Sequence, residues 1–146
     1  MRSAHGFGAS FTFTVGATYR ALEAHADTSK SQLHLPHYNW NAISDIALPN
    51  GCKMVGIELI DGAIDLPSFR HPLRAAYILG PEAGSLSPEM QARCDYVVKI
   101  PTLFCVNVAM AGAIVMYDRV KSMARFDDRP LSEGGNPGGT VRRGRP

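Results

Sequence analysis

Apolar residues in this chain fall into short runs separated by polar and turn-forming residues. Alternating aromatic and β-branched residues, or nearly continuous Val, Ile and Leu, are typical of strands. Such runs predict strands at residues 10–15, 32–35, 53–60, 75–79 and 96–100. Apolar residues three or four positions apart, together with helix start and stop signals, predict helices at residues 17–26, 40–48, 89–94 and 106–125.

The order of these elements predicts the fold class. Apolar strands with helices between them are typical of a parallel sheet that is covered by helices on both faces, so we expect an α/β domain. In such sheets ligands bind beyond the carboxyl ends of the strands. Here those ends are the loops after Ile60, Leu79 and Ile100, and all three loops are rich in Gly or Pro.

Composition excludes several classes of protein. The chain has 146 residues, of which 45% are hydrophobic and 19% charged, as in one globular domain rather than a disordered or collagen-like chain. Its longest apolar stretch, residues 106–117, is interrupted by Asn107 and is shorter than the roughly 20 residues that span a bilayer. No apolar run typical of a signal peptide follows Met1. We therefore predict a cytoplasmic protein that does not enter a membrane.

Neither a disulfide scaffold nor a metal site is predicted. The three cysteines, Cys52, Cys94 and Cys105, have no C-x-x-C spacing and cannot all pair, so we expect reduced thiols. His34 and His37 lie near each other, but Pro36 between them prevents a shared helical face.

Basic charge is concentrated at the C-terminal end. Residues 1–118 carry a net charge of −2 and residues 119–146 a net charge of +4. Residues 129–146 are rich in Gly, Pro and Arg, which predicts a flexible tail that could contact phosphate groups. The body of the chain has no basic footprint for nucleic acid.

Common nucleotide and nucleophile motifs are absent. No strand is followed by G-x-G-x-x-G or by G-x-x-x-x-G-K-[ST], and there is no G-x-S-x-G. This disfavours dinucleotide dehydrogenases, P-loop enzymes, Rossmann-type methyltransferases and serine hydrolases of the nucleophile-elbow type.

Three segments remain, and their order along the chain is informative. Arg2 to Gly8 read R-x-x-x-x-x-G, and Leu79 to Leu86 read L-G-x-E-x-G-x-L directly after a predicted strand. Residues 100–118 then contain I-P, C-V-N-V and A-I-x-x-Y-D. Together, over residues 2–125, they resemble the SpoU/TrmH branch of the SPOUT RNA methyltransferases, whose motifs include L-G-x-E-x-x-G-L and S-L-N-V-S.

This resemblance implies a fold, an activity and partners. The fold is a parallel α/β sheet whose C-terminal segment forms a deep trefoil knot, which is rare among proteins. The knotted loops bind S-adenosylmethionine, without a metal. Homodimers of such enzymes methylate the ribose 2′-hydroxyl of RNA, here tRNA or rRNA.

The resemblance also implies roles for individual residues. Arg2, Glu82 and Asn107 are the catalytic candidates. A ribose hydroxyl is a weak nucleophile, so the cation of Arg2 would stabilise the developing alkoxide and position phosphate. Glycines let the backbone approach a ligand closely. The cofactor pocket is assigned to Ile57, Glu58, Leu59, Leu79, Gly80, Gly84, Ile100, Pro101, Cys105 and Val108.

Some of these residues have other interpretations. Asn107 could instead cap the long helix, and Pro101 could simply end a strand. Cys105 stands where the family usually has Ser, and a thiol is the weaker hydrogen-bond donor. The loop between Pro101 and Asn107 is shorter than the family pattern, which would narrow the pocket.

The family pattern also places a strand and an N-x-G-N segment before the Arg, where this sequence begins. We therefore expect a methyltransferase domain at residues 1–128 that lacks this strand, and a tail at 129–146. The alternative function is a non-catalytic cofactor- or RNA-binding module that has lost its N-terminal catalytic segment. A third possibility is an unrelated flavodoxin-like domain without a knot.

Overall fold

The computed structural model describes residues 1–16, 35–82, 84–124, 126 and 133–134. Its helices are α1 (Arg2–Gly6), α2 (Pro88–Arg93) and α3 (Val108–Met123). Its strands are β1 (Thr12–Val15), β2 (His37–Trp40), β3 (Lys53–Ile57), β4 (Ile64–Asp65), β5 (Ala75–Leu79) and β6 (Tyr96–Lys99). Two single-turn 3-10 helices are Ile43–Asp45 and Leu66–Ser68.

Parallel pairing organises both sheets of the described residues. The larger sheet has the strand order β4-β6-β3-β5, and β1 pairs with β2 in a second sheet. Ile57 at the end of β3 lies opposite Leu79 of β5 and opposite Val98 of β6. Strands β6, β3 and β5 therefore end at one edge of the sheet, which confirms the expected parallel α/β fold.

Alternation of side chains along the strands creates a core on each face of the larger sheet. One core contains Val55, Val98 and Val115 of α3, and the other contains Met54, Ile78 and Met90 of α2. The two helices thus cover opposite faces. Each fully buried side chain of this size contributes about 1.5–3 kcal/mol to folding.

The predicted helix at 40–48 is wrong. Trp40 ends β2 and packs against Phe13 with a ring separation of 4.9 Å, and only Ile43–Asp45 form a helical turn. Pro49 cannot donate the hydrogen bond that would extend this turn. Arg93 of α2 donates instead to the carbonyls of Ile43 and Ile46. A contact from a distant helix thus replaces the internal bonds that a longer helix would need.

Other predicted boundaries differ less. β3 ends at Ile57 rather than at residue 60. The backbone nitrogen of Glu58 still donates to the Val98 carbonyl, and the Glu58 side chain bonds to the Leu86 backbone in the loop after β5. Helices α2 and α3 are shorter or shifted by one or two residues, which is common for helix ends. Helix α1 and strand β4 are very short, and the sequence pattern did not predict them.

Part of the predicted strand at 32–35 and the whole predicted helix at 17–26 lie outside the described residues. The described part, Leu35, is buried but not in a strand, and β2 begins two residues later, at His37. Across the segments that the structure describes, no helix is both long and apolar enough to cross a bilayer.

Candidate functional site

An open cleft lies at the carboxyl ends of β3, β5 and β6, beside the first turn of α3. Its volume is about 600 Å³, including the part open to solvent. The residues that line it are Ile57, Glu58, Leu59, Leu79, Gly80, Pro81, Glu82, Gly84, Ile100, Thr102, Cys105, Val106, Val108 and Ala111. This is the edge of the sheet where the strand order predicted a ligand site.

Glu58 holds the loop after β5 against the end of β3. Its Oε2 accepts a hydrogen bond of 2.6 Å from the backbone nitrogen of Leu86, and its Oε1 accepts one of 3.2 Å from Leu59. Hydrogen bonds to an ionised carboxylate are stronger than neutral ones. Because Leu86 is also buried in the core under α2, this contact fixes the end of the loop that begins after β5.

Two positions in the same loop require glycine, each for a different structural reason. A Cβ on Gly80 would lie 3.2 Å from the backbone nitrogen of Leu86 and 3.4 Å from the carbonyl carbon of Ser85. Gly80 therefore allows the loop to fold back closely over the strand end. Gly84 has a φ of +134°, a conformation that residues with a side chain rarely adopt. Both positions thus depend on the absence of a Cβ.

The loop between β6 and α3 is closed by its own residues. The backbone nitrogen of Thr102 donates to the Ile100 carbonyl at 2.8 Å, and its hydroxyl donates to the Phe104 carbonyl at 2.9 Å. Leu103 and Phe104, at the tip of this turn, are 100% and 76% exposed. The turn directs Thr102 and Cys105 toward the cleft and the two large apolar side chains away from it.

The first turn of α3 forms another wall of the cleft. Asn107 is its N-cap, and the Asn107 Oδ1 accepts from the backbone nitrogens of Ala109 at 2.9 Å and Met110 at 3.3 Å. The alternative interpretation of Asn107 as a helix cap is therefore correct. Its amide nitrogen makes no hydrogen bond to any residue that the structure describes. Asn107 can thus cap the helix and still donate to another group.

The charged side chains that line the cleft are both acidic. Glu58 and Glu82 contribute carboxylates, and no Lys or Arg is among the lining residues. Such a cleft favours a ligand with positive charge over an anion. Within the described portions of the chain, no group of three or more His, Cys, Asp or Glu side chains could hold a metal.

The structure brings most of the predicted cofactor residues and one predicted catalytic residue together. The predicted residues that line the cleft are Ile57, Glu58, Leu59, Leu79, Gly80, Glu82, Gly84, Ile100, Cys105 and Val108. Arg2, Pro101 and Asn107 do not line it. Arg2 belongs to α1, which packs against α3.

Four lining residues were not predicted, namely Pro81, Thr102, Val106 and Ala111. Three of them lie between predicted residues in the same two loops. Ala111 is one helical turn after Val108, so the spacing of residues along a helix could have predicted that both line the cleft.

Comparison with known proteins identifies similar sequences and folds. The model of the SpoU rRNA Methylase family matches residues 1–117. The SpoU methyltransferase AviRb from Streptomyces viridochromogenes, in complex with AdoMet, superposes with a TM-score of 0.72 at 23% identity, covering 82% of this chain and 52% of that one. An AdoMet-bound rRNA methyltransferase from Sinorhizobium meliloti superposes with a TM-score of 0.72 at 23% identity, covering 84% of this chain and 49% of that one.

The TrmH/SpoU tRNA modifying enzyme of A. aeolicus is also similar, with a TM-score of 0.68 at 17% identity, covering 83% of this chain and 65% of that one. At these identities the likenesses show the fold. The chain spans about half the length of the AviRb and S. meliloti structures. No curated protein matches it significantly.

Proposed function

Because this chain belongs to the SpoU rRNA methylase family, we propose that it is an S-adenosylmethionine-dependent RNA methyltransferase that modifies a ribose 2′-hydroxyl. The observation that carries the proposal is the cleft itself. The family's L-G-x-E and I-P/N-V segments, which are 21 residues apart at Leu79 and Ile100, border one cleft at the end of the parallel sheet.

The character of the cleft supports S-adenosylmethionine as the cofactor. When bound, this cofactor supplies a methyl group activated by a positively charged sulfonium. The lining fits such a group, since it offers two carboxylates, exposed loop backbone and the apolar side chains of Leu79 and Ile100, with no competing cation. Two of the similar structures were solved with AdoMet.

Three residues would serve the methyl transfer in this proposal. Arg2 would stabilise the alkoxide that develops on the ribose and would hold the neighbouring phosphate, because a guanidinium remains protonated and presents several donors. Glu82 would orient the substrate or the cofactor from the rim of the cleft. Asn107 would donate through its amide nitrogen. Arg2 lies on α1, which packs against the helix whose first turn lines the cleft.

A homodimer is part of the proposal. Large apolar side chains are exposed on the β6–α3 loop and on one face of α3, namely Leu103, Phe104, Met110 and Tyr117, with exposed fractions of 100%, 76%, 57% and 58%. Met110 and Tyr117 are two helical turns apart, so they share a face. Exposed apolar groups of this kind mark interaction surfaces. We refer to these four residues as the apolar strip.

The remaining features are proposed on the resemblance. They are the deep trefoil knot, a domain at residues 1–128, and a tail at 129–146 whose arginines contact RNA. Either tRNA or rRNA could be the substrate, since the similar structures include enzymes for both. A cytoplasmic location is supported by the three cysteines, which are all unpaired, as expected in a reducing compartment.

Calorimetry and a methyl-transfer assay test this function. We expect S-adenosylmethionine to bind the purified chain and a tritiated methyl group to appear in bulk tRNA or rRNA, recovered as a 2′-O-methylnucleoside after digestion. Binding without transfer would support the non-catalytic module instead, and the absence of both would contradict the proposal.

Matched variants test the residue roles. Glu82→Gln and Arg2→Ala should each reduce transfer at least tenfold, as loss of a transition-state contact does. The controls are Glu89→Gln and Arg70→Ala, which remove the same side chains from exposed positions outside the cleft. Equal activity of each variant and its control would refute these assignments.

A further inference from the structure

His71 is the one buried polar or charged residue among those that the structure describes. It lies between the 3-10 helix Leu66–Ser68 and β5, and its side chain is completely buried. Burying a polar group is costly unless it is hydrogen-bonded. The proposed methyl transfer does not use this residue, so its burial needs another reason.

Both imidazole nitrogens of His71 have partners. Its Nε2 is 3.0 Å from Oδ2 of Asp118, and its Nδ1 is 2.6 Å from the hydroxyl of Tyr77. The guanidinium of Arg119 donates to the same hydroxyl at 3.1 Å. It also donates to the carbonyls of Pro72 and Leu73, at 2.7 Å each.

Donor and acceptor capacity gives this chain of hydrogen bonds a direction. Arg119 can only donate, and an ionised Asp118 can only accept. The Tyr77 hydroxyl accepts from Arg119. When His71 carries its single ring proton on Nε2, that nitrogen donates to Asp118 and Nδ1 accepts from the Tyr77 hydroxyl. Burial raises the pKa of Tyr77 above its ordinary value, against the opposing effect of Arg119, so its hydroxyl keeps the proton that it donates.

The hydrogen bonds join three parts of the fold. His71 belongs to the loop before β5, Tyr77 to the middle of β5, and Asp118 and Arg119 to the C-terminal half of α3. The N-terminal end of α3 lines the cleft about 15 Å away, since an α-helix rises about 1.5 Å per residue. Helix α1, which carries Arg2, packs on α3 as well.

Val115 and Ile114 anchor the middle of α3 in the core. Nearer the cleft, the residues of α3 that face the sheet are small: Ala111 is buried, and a Cβ on Gly112 would lie 3.5 Å from the Leu79 side chain, in ordinary contact. Apolar packing of α3 is not directional, so it does not by itself fix the rotation of the helix. Directional hydrogen bonds do resist such motion, because they weaken steeply when misaligned.

We propose that His71 is a positioning residue for the cleft, which locks the C-terminal half of α3 to β5 and so sets the first turn of α3 against the cofactor. The inference rests on the proposed function for the identity of the ligand. Its structural part, that His71 determines how firmly the first turn of α3 is held, stands independently.

Three variants of the full chain test this role. His71→Leu removes both hydrogen bonds, and Tyr77→Phe removes one while keeping the ring. His71→Gln provides an amide that can accept at one atom and donate at the other. Met90→Ala is the control, because it leaves a cavity in the opposite core and lowers the melting temperature without touching α3.

Two measurements separate positioning from general stability. We expect His71→Leu to speed hydrogen exchange at the Ala109 and Met110 amides about tenfold or more and to weaken S-adenosylmethionine binding by a similar factor. Tyr77→Phe should have a smaller effect in the same direction. His71→Gln should remain within about threefold of the parent in both measurements. Met90→Ala should remain within about threefold of the parent in hydrogen exchange at these two amides despite its lower melting temperature, whereas its affinity can change because Met90 packs in the same core as Leu86, at the end of the loop after β5.

Equal changes in hydrogen exchange at the Ala109 and Met110 amides in His71→Leu and Met90→Ala would overturn the inference, because stability alone would then explain them. So would a His71→Gln variant that behaves like His71→Leu. If His71→Leu does not fold, Tyr77→Phe and His71→Gln decide the outcome by the same comparison. A parent chain that binds no S-adenosylmethionine would refute the proposed function, whereas the exchange rates would still decide the role of His71.

Discussion

The two loops that border the cleft are built differently. The loop after β5 is tied to the rest of the molecule, since Glu58 holds the Leu86 backbone and the Leu86 side chain is buried under α2. The loop after β6 is closed by Thr102 bonding to Ile100 and Phe104, both within the loop, and its tip is exposed. The wall formed by the loop after β5 is therefore held by contacts with the rest of the domain. The wall formed by the loop after β6 is held only by bonds within that loop, so a bound ligand or partner can order it further.

This difference fits a division of labour in the proposed enzyme. A pre-formed wall lowers the entropic cost of binding a small cofactor. In the proposed homodimer the exposed tip, with Leu103 and Phe104, would contact a second copy of the chain. Four predictions test the comparison, in order of their expected effect on the free energy of unfolding.

Replacing Glu58 should have the largest effect. Glu58→Leu leaves the buried backbone nitrogen of Leu86 without its acceptor, which should cost about 1–3 kcal/mol in the free energy of unfolding and weaken S-adenosylmethionine binding about tenfold or more. Glu58→Gln keeps an acceptor oxygen, so its loss in the free energy of unfolding should be less than half that of Glu58→Leu. Chemical denaturation and calorimetry measure both. Similar losses for Leu and Gln would show that the hydrogen bond is not what ties this loop.

Adding a Cβ at Gly80 should have the second largest effect on the free energy of unfolding. Gly80→Ala places a methyl group 3.2 Å from the Leu86 backbone nitrogen, and such overpacking typically costs about 1–3 kcal/mol. Because the loop must move away from the strand end, cofactor affinity should fall as well. Gly112→Ala is the control, since its Cβ would have ordinary contacts and alanine favours a helix. A Gly80→Ala variant as stable as the parent would mean that the loop is not fixed.

Thr102 should matter more for binding than for stability. Thr102→Val removes the hydroxyl that bonds to the Phe104 carbonyl in an exposed loop, so unfolding should change by less than about 1 kcal/mol. Affinity for S-adenosylmethionine should fall about threefold to tenfold, because the free loop becomes less ordered. Ser122→Ala, which removes a comparable bond on α3, should leave affinity unchanged. A large loss of stability would contradict the locally closed loop.

The apolar strip should affect stability least. Leu103→Ser with Phe104→Ser should change the free energy of unfolding of the monomer by less than about 0.5 kcal/mol, as exposed substitutions do. The same double variant should shift the chain from dimer to monomer in light scattering after gel filtration. Leu73→Ser, at a position 85% exposed elsewhere on the surface, is the control and should remain a dimer. A double variant that stays dimeric would show that the apolar strip does not form the dimer interface.

Most of the central sheet could be predicted from the sequence. Runs such as residues 53–57 and 75–79 are apolar at every position that the core needs. A Gly follows β5 and a Pro follows β6 within two residues of the strand end. Such signals are local, so one sequence contains them. The helix at 40–48 could not be corrected in the same way, because Arg93 and Phe13, which decide its conformation, are distant in the chain.

The cleft was predictable in outline. The family motifs placed Gly80, Glu82 and Ile100 together, and the structure brings all three to one lining. The motifs did not indicate what each group does. Whether Glu58 faces a ligand or the Leu86 backbone depends on how a loop 28 residues away folds back over the strand end.

The sequence by itself determined the strands of the central sheet, the order of the motifs along them and the family, because each of these is recorded in neighbouring residues. Only the tertiary structure decided which polar groups meet. His71 acquires its partners from β5 and from Asp118, which is 47 residues further along the chain. A hydrogen bond forms where two groups come within about 3 Å at a favourable angle, and that geometry exists only once the helix has packed on the sheet.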